Sequence, residues 1–152
     1  MQSADQPKQV ILSVTEIWAR SFNSGNLKDL MGLYAENAYF SSPRTALLTG
    51  RIAIEQHFHA LIKTGWKVRI GIHNVRALDP TVIIGVGDYT LRGSGRRQRE
   101  EIVGNWGFAA SGTTAEIAMH ISNSPAIRTG KPAADFVPQY DAGRLSSYER
   151  PY

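Results

Sequence analysis

The chain has 152 residues, 42% of them hydrophobic and 20% charged, with a formal net charge of +4 and no cysteine. That length suits one domain with its own core, and the missing thiols exclude disulfides, thiolate zinc sites and a cysteine nucleophile. No run approaches the roughly 20 apolar residues of a membrane span, and the opening "MQSADQPKQV" lacks the basic and apolar regions of a signal peptide.

The expected protein is therefore soluble and not membrane-bound. It is cytoplasmic or, where a leader has been removed, periplasmic or secreted. Residues 1–7 read as a flexible N-terminus. From Gln9 to Asn23, Val10, Ile11, Val14, Ile17, Trp18 and Phe22 recur at helical spacing, which predicts an amphipathic helix. "NSGN" stops it, and Asn26 is placed to cap a second, short helix with Leu27, Leu30, Met31 and Tyr34 on its buried side. "AYFSSP" (38–43) reads as a short strand ended by Pro43. A third helix is expected over about Ile52 to Lys63, burying Ile54, Phe58, Leu61 and Ile62.

From Trp66 onward the apolar period changes to two, with four strand-like runs at 66–78, 81–92, 96–110 and 113–122. Their separators "DP", "GSG" and "SG" are turn chemistry, and such short links force antiparallel neighbours. Helices followed by a strand meander predict an α+β domain over 8–127, three N-terminal helices packed on a curved, mainly antiparallel sheet. The remainder, 128–152, is rich in Pro, Gly and Ser and reads as an extended C-terminal arm. Arg92, Arg96, Arg97 and Arg99 cluster at the Gly-Ser-Gly turn beside Glu100 and Glu101. Without an aromatic platform or a basic helix, this reads as a solvated hairpin tip with local ion pairs, and no nucleic-acid partner is expected.

Strand alternation assigns faces. Ile102, Gly104, Trp106 and Phe108 share one side, as do Ala115, Ile117, Met119 and Ile121, and both sets should face the helices. His120 and Ser122 then fall on the outer face, and Pro125, with no N–H to donate, should end the ladder. In 81–92 both sides are apolar, Val82, Ile84 and Val86 against Ile83, Tyr89 and Leu91, so the outer side needs a cover. A second copy of the chain would supply it, making a homodimer or higher homo-oligomer, with His120 hydrogen-bonding at that interface.

Metal and nucleophile chemistry are poorly supported. His57 and His59 stand two apart on a helix and point to different sides, so no metal site is expected. A Ser–His–Asp set would need His120, Ser122 or Ser124 and a buried acid such as Asp88, but alternate residues of a strand do not make a nucleophile elbow.

"WARSFNSGNLKDLMGLYAENAYFSSP", "TGRIAIEQHF" and four strands ending in "MHISNSPA" together resemble the NTF2-like superfamily, which includes SnoaL-like and ketosteroid-isomerase-like proteins of cystatin-like fold. The ending H-x-S-x-x-P, with Glu100, Glu101 and Trp106 ahead of it, resembles the association domain of calcium/calmodulin-dependent kinase II and its free-standing bacterial relatives. The resemblance implies a cone with a pocket between helices and sheet. In ketosteroid isomerases it implies three groups: an aspartate before the strand-ending proline, a helix tyrosine and a strand aspartate. Here those positions carry Ser42, Trp18 and Gly104, so steroid isomerisation is not expected. A pocket arginine of the association domains also falls at Gly104.

The expected ligand-binding residues are therefore Trp18, Tyr34, Phe40, Ser42, Phe58, Tyr89, Trp106 and Met119, an apolar and aromatic set with a few hydroxyls. A small apolar, aromatic or carboxylic-acid ligand fits that set, with no cofactor. Two alternatives accompany this reading. One is a metal-independent carbonic anhydrase of the same fold, using Ser42, Tyr89, His120 and Ser122 as catalytic residues. The other is a purely structural association module.

Overall fold

The computed structural model describes residues 5–43, 45–94 and 99–128. Helix α1 (Gln6–Ser24) has Pro7 in its first turn, where a missing N–H costs nothing, so it starts three residues before Gln9. Its stripe of Ile11, Val14, Trp18 and Phe22 is buried. Gly25 ends it in the left-handed region (φ 73°), and the N–H groups of Gly25 and Asn26 close on the carbonyls of Phe22 and Ser21. Asn26 then caps α2 (Leu27–Met31), its side chain accepting from the Asp29 N–H at 3.1 Å.

Strand β1 (Tyr34–Ser41) begins earlier than its sequence signal, and Tyr34 opens this strand rather than lying on α2. Its burial is nonetheless complete. The reason is tertiary: the Ile117 N–H donates to the Leu33 carbonyl at 2.7 Å, and Arg51 Nη2 and Nε donate to the Tyr34 carbonyl at 2.7 and 3.1 Å. A two-residue β2 (Leu48–Thr49) precedes α3 (Arg51–Lys63), whose Ile54 and Phe58 are buried.

The meander follows as β3 (Lys67–Asp79), β4 (Val82–Ser94), β5 (Arg99–Ser111) and β6 (Ile117–Arg128). All six strands form one sheet in the order β2-β1-β6-β5-β4-β3, antiparallel throughout except for the parallel β1–β6 pair. Helices cover its inner face. Among the described residues no helix is long and apolar enough to cross a membrane. Of the arginine cluster, Arg92 pairs with Glu101 at 2.9 Å, while Arg96 and Arg97 lie outside the described residues, as does the proposed arm from 129 onward.

Two bulges in β6 correct the sequence reading. Ala109 faces Met119 whereas Ala110 faces Ile117, so Ala118 is an extra residue on β6. The bulge inverts the alternation: Ile117 points inward, and two residues on it is not Met119 but its neighbour His120 that does so. His120 is only 5% exposed, while Met119 and Ile121 are 41% and 49% exposed on the outer face. Further on, Val103 faces Ala126 and Asn105 faces Asn123, so β6 again carries one residue more than β5. Pro125 falls in this second bulge, and the ladder runs past it to Arg128, as a proline without an N–H can be accommodated at a bulge.

Candidate ligand-binding site

Between α1, α3 and the inner face of the sheet lies a cavity of about 170 Å³. Apolar cavities of about 150 Å³ admit benzene, so this space suits a small ring compound. Trp18 comes from α1, Phe40 from β1 with Ser42 and Pro43 just beyond it, and His57, Phe58 and Leu61 from α3. The sheet adds Val68, Ile70, Tyr89, Leu91, Ile102, Trp106, Phe108, His120, Ser122 and Ser124. Among the described lining residues there is no Asp, Glu, Lys or Arg. Nor do the described residues hold any group of three His, Asp or Glu placed for a metal ion.

Eight of the ten residues singled out from sequence meet here: Trp18, Phe40, Ser42, Phe58, Tyr89, Trp106, His120 and Ser122. Tyr34 stands behind the wall and Met119 on the opposite side of the sheet. His57 and Ser124 also line the cavity, a place the sequence reading gives to neither. The signal for His57 is its spacing, since Ile54, His57, Phe58 and Leu61 lie at i, i+3, i+4 and i+7 of α3.

The polar centre is a buried chain of three rings. Trp18 Nε1 donates to Tyr34 Oη at 2.8 Å, and Tyr34 Oη lies 2.8 Å from His120 Nδ1. The imidazole is clamped edge-to-face by Phe108, Phe40 and Trp18 at centroid distances of 4.5, 4.8 and 5.9 Å. Burial, and secondarily the charge that His57 would carry, push His120 down to about 3. Burial likewise holds His57 below its ordinary value and raises the Tyr34 hydroxyl well above the phenol range, only partly offset by the Trp18 hydrogen bond. Near neutral pH the cavity therefore presents neutral groups. An imidazole this weakly basic is a poor general base for abstracting a carbon-bound proton.

Other polar edges are already engaged. Trp106 Nε1 is shared between the carbonyls of Gly71 (3.1 Å) and Asp88 (2.9 Å). Tyr89 lies over Gly104 and donates its hydroxyl to the Asn123 carbonyl at 3.2 Å. Any Cβ at Gly104 would run into that carbonyl and the Tyr89 ring, so the position where the resemblance implies an arginine or aspartate has no room for either. Asp88 is not a buried acid beside His120. It stands on the outer face, exposed, with His73 Nε2 at 2.6 Å.

The SnoaL-like domain family matches residues 14–120. No curated protein matches the chain. Among solved structures, the chain is similar to a protein described as a calcium/calmodulin-dependent protein kinase II association domain from Xanthomonas campestris, at 19% identity and a TM-score of 0.66 over 75% of this chain and 84% of that one. A ketosteroid isomerase-like protein from Erwinia carotovora atroseptica gives 10% identity and a TM-score of 0.70 over 82% and 99% of the two chains. The epoxide hydrolase/cyclase-like enzyme SalBIII, of pyran ring formation in the polyether salinomycin, gives 15% identity and 0.63 over 78% and 93%. At such identities the structures share the fold alone. The family match reaches from the middle of α1 to His120, and on it the chain belongs to the SnoaL-like domain family, with the NTF2-like, cystatin-like α+β architecture.

Proposed function

We propose that the protein binds a small, uncharged apolar or aromatic molecule inside the cone. The observation that carries this reading is the cavity itself, about 170 Å³, walled mainly by aromatic and aliphatic side chains with three serines and two histidines and, among the described residues, by no Asp, Glu, Lys or Arg. That wall favours the neutral members of the ligand class expected from sequence. A carboxylate would lose its hydration without gaining a cation, so carboxylic acids should bind less well than neutral rings of the same size. Trp18 and Trp106 both line the space and report entry. Toluene or phenol should change the tryptophan emission saturably, with benzoate weaker by at least about tenfold at neutral pH. No saturable change with either neutral compound would mean that these side chains are core.

The same reading includes self-association through the outer sheet face. Ile84, Ala109, Met119 and Tyr39 are successive cross-strand neighbours there, and so are Val86, Gly107 and Ile121. Tyr39, Val86, Met119 and Ile121 are each more than 40% exposed, a contiguous apolar patch of the kind that marks an interaction surface. A second copy would bring the same patch to itself in an isologous pair. Light scattering at micromolar concentration should give at least a dimer, and a monomer would refute it.

One observation keeps an enzymatic alternative, metal-independent CO₂ hydration. Ser42, Tyr89, His120 and Ser122 all open on the one cavity. A hydration assay in the presence of a chelator tests it, and a rate no greater than that of buffer removes it.

A further inference from the structure

We infer that the cone selects neutral ligands bearing a carbonyl-type hydrogen-bond acceptor, because the Trp18–Tyr34–His120 chain fixes the imidazole proton on Nε2, the nitrogen turned to the cavity. The inference rests on the small-molecule reading above and adds the chemistry the ligand must carry.

An indole N–H can only donate, so at 2.8 Å Tyr34 Oη accepts from Trp18. The phenol is fully buried, and its own proton needs an acceptor. His120 Nδ1, 2.8 Å away, is the partner the described residues offer. Were Nδ1 protonated, Tyr34 Oη would accept from both rings and the phenolic proton would be left without an acceptor in a dry core. Nδ1 therefore accepts, and the proton of the neutral ring resides on Nε2. Tyr34 is not part of the cavity wall whereas His120 is, and on that ground the ring edge away from Nδ1, which carries Nε2, is assigned to the cavity. No hydrogen bond of Nε2 is formed among the described residues.

The surrounding aromatic edges hold the ring in this orientation, with Phe108 and Phe40 at centroid distances of 4.5 and 4.8 Å. Burial supports the assignment by keeping the ring uncharged near neutral pH. An N–H presented from an apolar wall is satisfied by a ketone, aldehyde or ester oxygen but not by a hydrocarbon of the same shape. Tyr34 is thus a positioning residue, which acts on the ligand through His120.

Two measurements test this. In ¹⁵N-labelled protein at neutral pH, His120 should show a proton-bearing, pyrrole-type Nε2 and a pyridine-type Nδ1. A proton on Nδ1 overturns the inference whatever binds. Calorimetric titration should then compare acetophenone with its isostere α-methylstyrene. The wild type should prefer the ketone by about tenfold, the scale of one hydrogen bond to a buried donor. Tyr34→Phe should reduce the preference to within about twofold while α-methylstyrene still binds. Equal binding of both compounds to the wild type overturns the inference and leaves the cavity reading standing. Binding of neither, by contrast, overturns the cavity reading. Should Tyr34→Phe fail to fold, the wild-type spectrum and the wild-type ratio still decide the matter.

Discussion

Acidification should destabilise this protein through His120 as the pH falls below the ordinary histidine value. In the folded state burial and the neighbouring His57 push His120 down to about 3, against an ordinary histidine value near 6.5. A base whose folded value is depressed gives stability that is complete above the unfolded value and is lost as pH falls. In the window between about 6.5 and about 3 the unfolded chain takes up a proton that the folded chain refuses. Each pH unit in that window removes about 1.4 kcal/mol, so lowering the pH from about 6.5 to about 4.5 should cost about 2.5 kcal/mol, a large share of a small domain's stability. The titratable groups facing the imidazole are Tyr34, which stays neutral throughout, and His57, whose own depressed value adds loss of the same sign. Urea unfolding followed by circular dichroism at several pH values measures the slope. His120→Asn keeps an acceptor for the Tyr34 hydroxyl, cannot be protonated and retains His57, so its stability should fall by about 2 kcal/mol less over the same range. If variant and wild type lose stability in parallel, within about 0.5 kcal/mol, the buried neutral imidazole is not the acid-sensitive element.

Three further outcomes are expected. Gly104→Ala places a methyl against the backbone carbonyl of Asn123 and the Tyr89 ring, and thermal melts should show a loss of at least about 1–3 kcal/mol. Ile84→Glu puts an unpaired charge into the apolar outer face, and sedimentation should show the proposed self-association lost with the fold intact; association equal to that of the wild type would place the interface elsewhere. Asn23 ties the end of α1 to β3, its Nδ2 donating to the Val68 carbonyl at 2.9 Å and its Oδ1 accepting the Val68 N–H at 2.7 Å. Asn23→Ala should cost about 1–3 kcal/mol and speed hydrogen exchange at the Val68 amide, and an unaltered exchange rate would refute the clamp.

Legibility of the fold and of the site differ for a physical reason. The meander could be read because its turns are local: "DP", "GSG" and "SG" leave no room for anything but antiparallel returns. Asn26 as a cap and Gly25 as a stop were equally local. The parallel β1–β6 pair joins residues more than 75 positions apart, such as Tyr39 and Met119, and no local pattern announces it. Tyr34 shows the consequence, since its apolar spacing fits α2 while its backbone pairs with Ile117 in the sheet and its carbonyl accepts from Arg51.

The site turned on a single residue of register. Alternation is a rule with memory, in which one error propagates to every residue beyond it. Read without a bulge, Ile117 inside puts Met119 and Ile121 inside and His120 in an interface. With Ala118 bulged, the inward set becomes Ile117, His120 and Ser122, and two large apolar side chains are expelled to the outer face. Both halves of the functional reading follow from this one displacement. Inside, it brings an imidazole within reach of the Tyr34 hydroxyl and gives a mainly apolar cavity a fixed polar point. Outside, it sets Met119 and Ile121 in line with Ile84 and Val86, across Ala109 and Gly107 of β5, and widens the patch available to a second copy. An insertion or deletion at Ala118 that abolished the bulge should therefore damage ligand binding and self-association together, whereas Met119→Ser, which leaves the register alone, should weaken association and spare binding. Calorimetry and light scattering on the two variants separate these outcomes, and loss of binding in Met119→Ser would show that the face assignment is not what links them.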